Sequence, residues 1–350
     1  MILKMPLYCK RFKCIADKCK DNCCVGWEID IDTSSAECYK NADGEFGARL
    51  RDNIQWGETC SFKLKGERCP FLNDKNLCEI IINMGEDKLC QICDDHPRYF
   101  EWFSNVKEGG IGLCCEEAAR IIVADKEKFG TYEVVCDDEG CDDYSEELYN
   151  LLCFARDEII GVLENEEMPF ASRIASVLSY VVDLQFNIDN YCYEKTAIKI
   201  QHPADGFKAD IEGFLEIFKE LDPIDDKWQM YLKDLIDDMK DFVGKAYISK
   251  TEERYLQNIA VYFIWRYFLK GVYDEEVISK AFLMAISVAV IKLMYERELL
   301  KGEMLDCDKC SMLAKYYSKE IEYSEENLEM LYNMVYENPA FSKDNILSIL

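Results

Sequence analysis

The chain has 350 residues, with 41 Lys plus Arg against 68 Asp plus Glu, a formal net charge of −27, two His and 19 Cys. A chain of this length buries roughly three quarters of its extended surface on folding, so its core needs no disulfide framework. The negative charge argues against docking on a phosphate backbone or an anionic lipid surface, which need a basic face, so neither a nucleic-acid nor a membrane partner is expected.

At the amino terminus, MILKMPLYCKRFKC carries no apolar run of signal-peptide length and no small-residue cleavage pattern, which leads to the expectation of a cytoplasmic address. In a reducing compartment, clustered cysteines are more often metal ligands or catalytic thiols than disulfide partners. Thirteen of the 19 Cys precede residue 116. Charge is divided as well: residues 1–120 hold 17 basic and 21 acidic side chains, net −4, and residues 121–350 hold 24 and 47, net −23. Two parts of different character are expected.

Ten early cysteines fall into four groups. FKCIADKCKDNCCVGW supplies Cys14, Cys19, Cys23 and Cys24, and ERCPFLNDKNLC supplies Cys69 and Cys78. LCQICDDHPRYF supplies Cys90, Cys93 and His96, and LCCEEAAR supplies Cys114 and Cys115. Grouping this tight predicts metal ligation. Two tetrahedral zinc sites would use eight thiolates, and Cys90-x-x-Cys93 has the separation that serves one ion. Iron-sulfur cages take four thiolates each and accept wider spacings such as Cys14-x4-Cys19-x3-Cys23, which places iron-sulfur ahead while zinc stays open. In the adjacent pairs Cys23-Cys24 and Cys114-Cys115 the side chains diverge, so one of each ligates, or the two serve separate clusters. His96 is a candidate ligand, hydrogen-bond donor to a ligand or proton carrier, and equally a cap for the turn before Pro97. Arg98 is placed to offset thiolate charge or clamp a carboxylate, or to form a surface ion pair. Cys9, Cys38 and Cys60 lie outside the groups, Cys153 and Cys192 read as small core residues, and the isolated Cys307-x-x-Cys310 is a weak signal. His202, before Pro203, reads as incidental.

The first 120 residues show no regular strand alternation and no repeat, and Gly109-Gly110-Ile111-Gly112 lacks the spacing of a dinucleotide fingerprint. Asp125 to Glu147 holds ten acidic residues, including the run CDDEGCDD, and reads as a solvated connector. From Ser145 the apolar period becomes helical. Leu148, Leu152, Ala155, Ile159 and Leu163 form one stripe, Ser145 is placed to cap it, Glu146 and Glu147 suit its first turn, and Pro169 ends it. Helical patterns follow at about 170–186, 209–221, 226–243, 252–270, 274–300 and 309–336, with breaks at Asp222-Pro223 and Gly271. The apolar run Val277 to Met294 contains Lys280 and Lys292 and reads as a core helix rather than a membrane span. The expected fold is therefore mainly α: a cysteine-rich, irregular or helical metal-binding part over residues 1–124, an acidic connector over 125–147 and an α-helical bundle over 148–350.

FKCIADKCKDNCCVGWEIDID, GEFGARL, ERCPFL with the following NLCEI, LCQICDDHPRYFEWF and GLCCEEAARII, in order over about residues 6–125, resemble the flagellin lysine N-methylase family. ERYLQNIAVYFIWRYFLK, at 253–270, resembles the family's later helical part. The resemblance implies a protein-lysine N-methyltransferase that moves methyl groups from S-adenosylmethionine to surface lysines of flagellin. It also implies a [4Fe-4S] cluster on the cysteine-rich part, with Cys14, Cys19, Cys23, Cys24, Cys69, Cys78, Cys90, Cys93, Cys114 and Cys115 at the family's motif positions. Which four hold a given cluster does not follow. Radical S-adenosylmethionine enzymes commonly use C-x3-C-x2-C, and here Gly26 stands where the third thiolate would follow Cys19-x3-Cys23. A substrate lysine titrates about three units above neutral pH, so methylation requires a base or desolvation. Glu28, Asp30, Glu116 and Glu117 are candidates to take that proton or bind the ammonium, with solvated surface carboxylates as the plainer alternative. With no nucleotide-binding fold in view, an open cluster iron is expected to anchor the amino and carboxylate groups of S-adenosylmethionine. The first part also resembles a wider group of small zinc- or iron-chelating cysteine-cluster proteins, which keeps a redox or interaction module as the alternative.

Overall fold

The computed structural model describes residues 1–350 except 26–27, 67, 138–143, 205 and 241–247. Among the described residues, the strands come from the first 135: β1 (Ile2–Pro6), β2 (Asp30–Ile31), β3 (Ile54–Gln55), β4 (Cys60–Phe62), β5 (Arg98–Phe103), β6 (Val106–Ile111) and β7 (Thr131–Val135). One sheet runs β5-β6-β1-β7, with β5 and β6 an antiparallel hairpin, β1 parallel to β6 and β7 antiparallel to β1. A smaller antiparallel sheet runs β2-β4-β3. These sheets correct the expectation of an irregular or helical first part. Three strands, β2, β3 and β4, are too short to show alternation, and β6 carries glycines for a packing reason. Gly109 and Gly110 pair with Phe100 and Tyr99. A Cβ there would lie 2.8 Å from the Phe100 ring and 2.3 Å from the Tyr99 hydroxyl, so two aromatics lie flat across the strand only because it lacks side chains.

The helices are α1 (Thr33–Lys40), α2 (Gly44–Asp52), α3 (Glu79–Met84), α4 (Gln91–Asp95), α5 (Glu116–Val123), α6 (Glu146–Leu163), α7 (Phe170–Asp189), α8 (Ile211–Glu216), α9 (Asp226–Met239), α10 (Lys250–Tyr267), α11 (Gly271–Asp274), α12 (Ile278–Leu300), α13 (Cys307–Glu322), α14 (Glu325–Glu337) and α15 (Lys343–Ile349). The chain is mostly helical, as expected. In α6 every residue of the predicted stripe is buried, and the Ser145 hydroxyl accepts from Leu148 N at 3.3 Å. The α12 helix is long and apolar enough to cross a membrane by length and composition, and 89% of its most apolar window is buried inside the fold. Its two lysines are accommodated by partners: Lys280 pairs with Asp274 and Glu276, and Lys292 reaches Glu296 and the Ile349 carbonyl, each at 2.8 Å.

Element boundaries differ from the sequence expectation in places, and one is only partly seen. The 309–336 pattern is two helices, because the Ser324 hydroxyl accepts from Asn327 N and starts α14 afresh. The predicted 226–243 helix is seen as far as Met239, and its end beyond 240 lies outside the described residues. Within the expected connector, residues 131–135 form β7, and most of CDDEGCDD lies outside the described residues.

Two cores result. The large one joins β1, the β5-β6 hairpin and α5 to the helices from α6 onward, so the packing boundary does not follow residue 124. Glu108 of β6 and Arg156 of α6, both buried, form a two-point ion pair at 2.5 and 2.8 Å across this junction, and the guanidinium also lies over the Trp265 ring at 4.1 Å. The small core, between residues 29 and 93, is built on Tyr39, Phe62 and Phe71 and contains cysteines.

On α13, Glu320 caps the turn before α9: its Oε2 accepts from Ile224 N at 2.9 Å and Asp225 N at 3.3 Å. Burial pushes this carboxyl up to about 7, only partly offset by those two N–H groups. Between the ordinary carboxyl value and about 7, the folded chain holds a proton that the unfolded chain has released, so stability falls as pH rises through that interval. Glu320→Gln keeps the acceptor oxygen and is expected to flatten that fall. Urea midpoints of both chains at about pH 5 and about pH 8 check it, a stabilisation of the variant only at the higher pH being the expected result.

Candidate metal centre

The four cysteine groups are brought together by backbone contacts between distant segments. Cys69 N donates to Cys24 O at 2.9 Å, and Val25 bridges Arg68, which lays the second group on the first. Between Cys69 and Cys78 the chain doubles back: Leu72 bridges Cys78, and the Asn73 carboxamide oxygen accepts from Lys75 N and Leu77 N. Cys90 precedes α4, and its carbonyl accepts from Cys93 N and Asp94 N. The hairpin after β5 then returns Gly112 to Pro97, where Gly112 N donates to Pro97 O at 2.8 Å, and places Cys114 and Cys115 at the start of α5.

Eight of the ten predicted cysteines bear on one another in two neighbouring sets, and Cys19 lies beside them through Glu116. Cys69 and Cys90 are buried in the small core, with Cys24, Cys78 and Cys93 packed against it. The Cys90 and Cys93 thiols hydrogen-bond each other, and Cys24 and Cys69 both bear electrostatically on Cys93. Cys23 links the sets: it hydrogen-bonds Cys24 and His96 and bears on Cys78 and Cys115. Cys114 bears on Cys115, and the Cys19 thiol donates to Glu116 Oε2 at 3.6 Å. Cys14 is exposed, with its sulfur accepting from Ala16 N at 3.4 Å, and among the described residues nothing joins it to the other cysteines of the groups.

Burial controls the thiols. It pushes Cys69 up to about 11, Cys114 to about 11 and Cys115 to about 12. The Cys93 thiol is driven well above the usual range, first by its bond to Cys90 and then by burial, while the same bond lowers Cys90. Among the described residues, no three Cys, His, Asp or Glu side chains already close on one ion-sized point. The donor chemistry nonetheless fits a thiophilic group: five sulfurs from three segments share one apolar core, and a coordinating cation reverses the cost of ionising them. A four-iron cage with no open iron takes four such thiolates.

Residues that the sequence reading did not single out hold this assembly against the helices. Glu322, buried on α13, pairs with Arg266 at 2.8 Å and accepts from Tyr262 at 2.8 Å and Tyr267 at 2.7 Å. Tyr262 in turn accepts from Leu113 N at 3.2 Å, and the Tyr323 hydroxyl bonds Cys114. A Cβ at Gly112 would stand 3.0 Å from the Cys114 sulfur and 3.3 Å from Arg266 Nη1, which explains the glycine. Lys315 and Lys319 of α13 both pair with Asp21, in the loop between Cys19 and Cys23. The available signal for these residues was a charged residue inside an apolar helical run.

The other candidates separate. Glu116 accepts from Lys20 N at 2.7 Å, Glu117 pairs with Arg120 at 2.5 Å, Glu28 is exposed, and Asp30 lines an open cleft beside α4. His96 both ends α4, where its N–H donates to Ile92 O, and bonds Cys23. Arg98 donates to Asp94 O at 3.3 Å and lies over the Phe12 ring at 5.4 Å. His202 meets Ser172 at 3.0 Å. Cys307 lies 3.8 Å from the Ser311 hydroxyl, and buried Cys310 is pushed up to about 12 by burial.

A family model described as the FliB lysine N-methylase C-terminal domain matches residues 156–349. A lysine-N-methylase of Salmonella typhimurium is 27% identical over 137 residues, covering 37% of this chain and 34% of that protein. The flagellar biosynthetic protein FliU of Salmonella muenchen is 28% identical over 129 residues, covering 34% of this chain and 76% of that protein. A lysine-N-methylase of Salmonella choleraesuis is 26% identical over 137 residues, again covering 37% and 34%. The matched stretch thus spans about a third of each of the two lysine-N-methylases. No solved structure matches the chain.

Proposed function

This chain belongs to the FliB lysine N-methylase family, and from that premise we propose that it is a protein-lysine N-methyltransferase acting on flagellin in the cytoplasm, with S-adenosylmethionine as donor and a [4Fe-4S] cluster as resident cofactor. What carries the reading is the family match over 156–349 together with the gathering of eight cysteines, two of whose segments, around Asp21 and Leu113, α10 and α13 hold in place. The relatives named lysine-N-methylases support the reaction class. Cys24, Cys69, Cys78, Cys90 and Cys93 are the thiols that would hold the cluster, with Cys23, Cys114 and Cys115 next to them. Held by three of these thiolates, such a cluster would leave one iron open, and that iron would supply a site for the amino and carboxylate groups of S-adenosylmethionine.

The protein's own residues have three tasks. The substrate amine must lose its proton, which takes a desolvating wall or a carboxylate. The amine nitrogen must then lie in line with the sulfonium methyl: the new N–C bond forms as the S–C bond breaks, and S-adenosylhomocysteine leaves. Water must be kept from the thiols, which the Tyr39, Phe62 and Phe71 core does on one side.

The test is anaerobic purification with iron, sulfide and zinc analysis, followed by incubation with labelled S-adenosylmethionine and flagellin of the same cell. Iron and sulfide in the protein and label on lysine are expected. Zinc without sulfide and no label would favour the chelating interaction module instead.

A further inference from the structure

The α4 segment serves two places at once. Cys90 and Cys93 turn into the small core, while Gln91, Ile92 and Asp95 line an open cleft of about 710 Å³. The cleft is walled by β2 and the start of α1, by the turn at residues 57–60 and by α4, with Arg98, Phe100 and Trp102 along one face of β5. We propose that this cleft receives the side chain of the substrate lysine with its flanking backbone. The proposal deepens the methylase reading and rests on it for the identity of the partner.

Charge and chemistry point the same way. The lining holds four carboxylates, Asp30, Asp32, Glu58 and Asp95, against one guanidinium, that of Arg98. Arg98 is already engaged with Asp94 O and the Phe12 ring. An ammonium is therefore drawn in, and a cationic protein surface is steered toward the opening. The aromatic face suits an alkylammonium before and after methylation. Lys107 of β6, paired with Trp102, already sets one ammonium on these rings, its Nζ lying 4.3 Å from the Phe100 ring centre and 4.8 Å from that of Trp102, so the four carboxylates face two cations, Arg98 and Lys107, and remain in excess. Position adds a third argument: His96 lines the cleft and also bonds Cys23, so the cleft adjoins the cysteine centre. A small cofactor is normally enclosed over most of its surface, whereas a lysine on a folded partner needs an open trough. That favours the acceptor over the sulfonium donor here.

The test combines Asp30→Asn, Glu58→Gln and Asp95→Asn in the full chain, leaving Asp32, which caps α1 through Ser35 N. The probe is flagellin of the same cell, native and lysine-acetylated. Relative to wild type, flagellin binding is expected to weaken, and KM for flagellin to rise, by roughly tenfold or more, with a smaller salt dependence. Iron content and S-adenosylmethionine affinity are expected to stay at wild-type values, and acetylated flagellin to bind both chains equally weakly. Should the combined variant fail to fold, Glu58→Lys alone, at an exposed position, carries the same expectations. Flagellin binding equal to wild type, no binding by wild type, or loss of S-adenosylmethionine affinity instead would overturn the proposal. Methyl transfer with an unchanged KM in the variant would sink the cleft and leave the methylase reading standing. Cleft-dependent binding of flagellin with no methyl transfer by wild type would do the reverse.

Discussion

Replacing Cys90 and Cys93 together by serine is expected to abolish iron loading and to lower methyl transfer by more than the roughly 10–100-fold that loss of a supporting hydrogen bond at a metal site costs. These two thiols bond each other, Cys90 is fully buried, and Cys24 and Cys69 bear on the same place, so no neighbouring sulfur can substitute without moving its backbone. Cys307→Ser is the control. It stands at the start of α13 beside Ser311 and Tyr255, and its loss is expected to leave iron content unchanged. Iron and sulfide retained at wild-type levels in the double variant would move the cluster to Cys23, Cys114 and Cys115.

Removing one partner of the Glu108–Arg156 pair is expected to have the largest effect on stability. Both side chains are buried, and Glu108→Ala strands a guanidinium that stays protonated, at a cost of about 3–5 kcal/mol. Because the pair fastens the large sheet to α6, the loss also loosens the packing between β6 and the helical bundle. Replacing both partners by apolar residues, as in Glu108→Leu with Arg156→Met, is expected to recover most of that stability, since the unpaired buried charge disappears. Urea unfolding of the two variants decides it, and a Glu108→Ala midpoint within error of wild type would contradict the account.

The helical half was legible where burial follows one stripe. Leu148, Leu152, Ala155, Ile159 and Leu163 are all buried in α6, and the lysines of α12 are paired as a core helix requires. Boundaries were less legible, because the cap that divides α13 from α14 is a single serine side chain within a continuous helical period. The strands were hidden by their length and by Gly109 and Gly110, whose role appears only when the Tyr99 and Phe100 rings lie across them.

For the candidate site, spacing identified which cysteines group and left open which face each other. That depends on contacts between segments far apart in sequence, such as Cys24 with Cys69 and Cys23 with His96. Cys14 shows the limit, since it shares the motif spacing yet is exposed. Arg266 and Glu322 showed only as charged residues inside apolar helical runs, and the lining of the cleft had no local signature, because each acts through a partner on another element. The family likeness also divides. The cysteine motifs that suggested it lie within residues 6–125, while the family match covers 156–349 and includes the helical stretch 253–270.

The central claim is most directly tested by mass spectrometry of flagellin co-expressed with this chain, compared with flagellin co-expressed with the Cys90→Ser, Cys93→Ser variant. Methyl additions on flagellin lysines are expected with the wild-type chain and none with the variant. Unmodified lysines with the wild-type chain, despite a full complement of iron and sulfide, would contradict the claim.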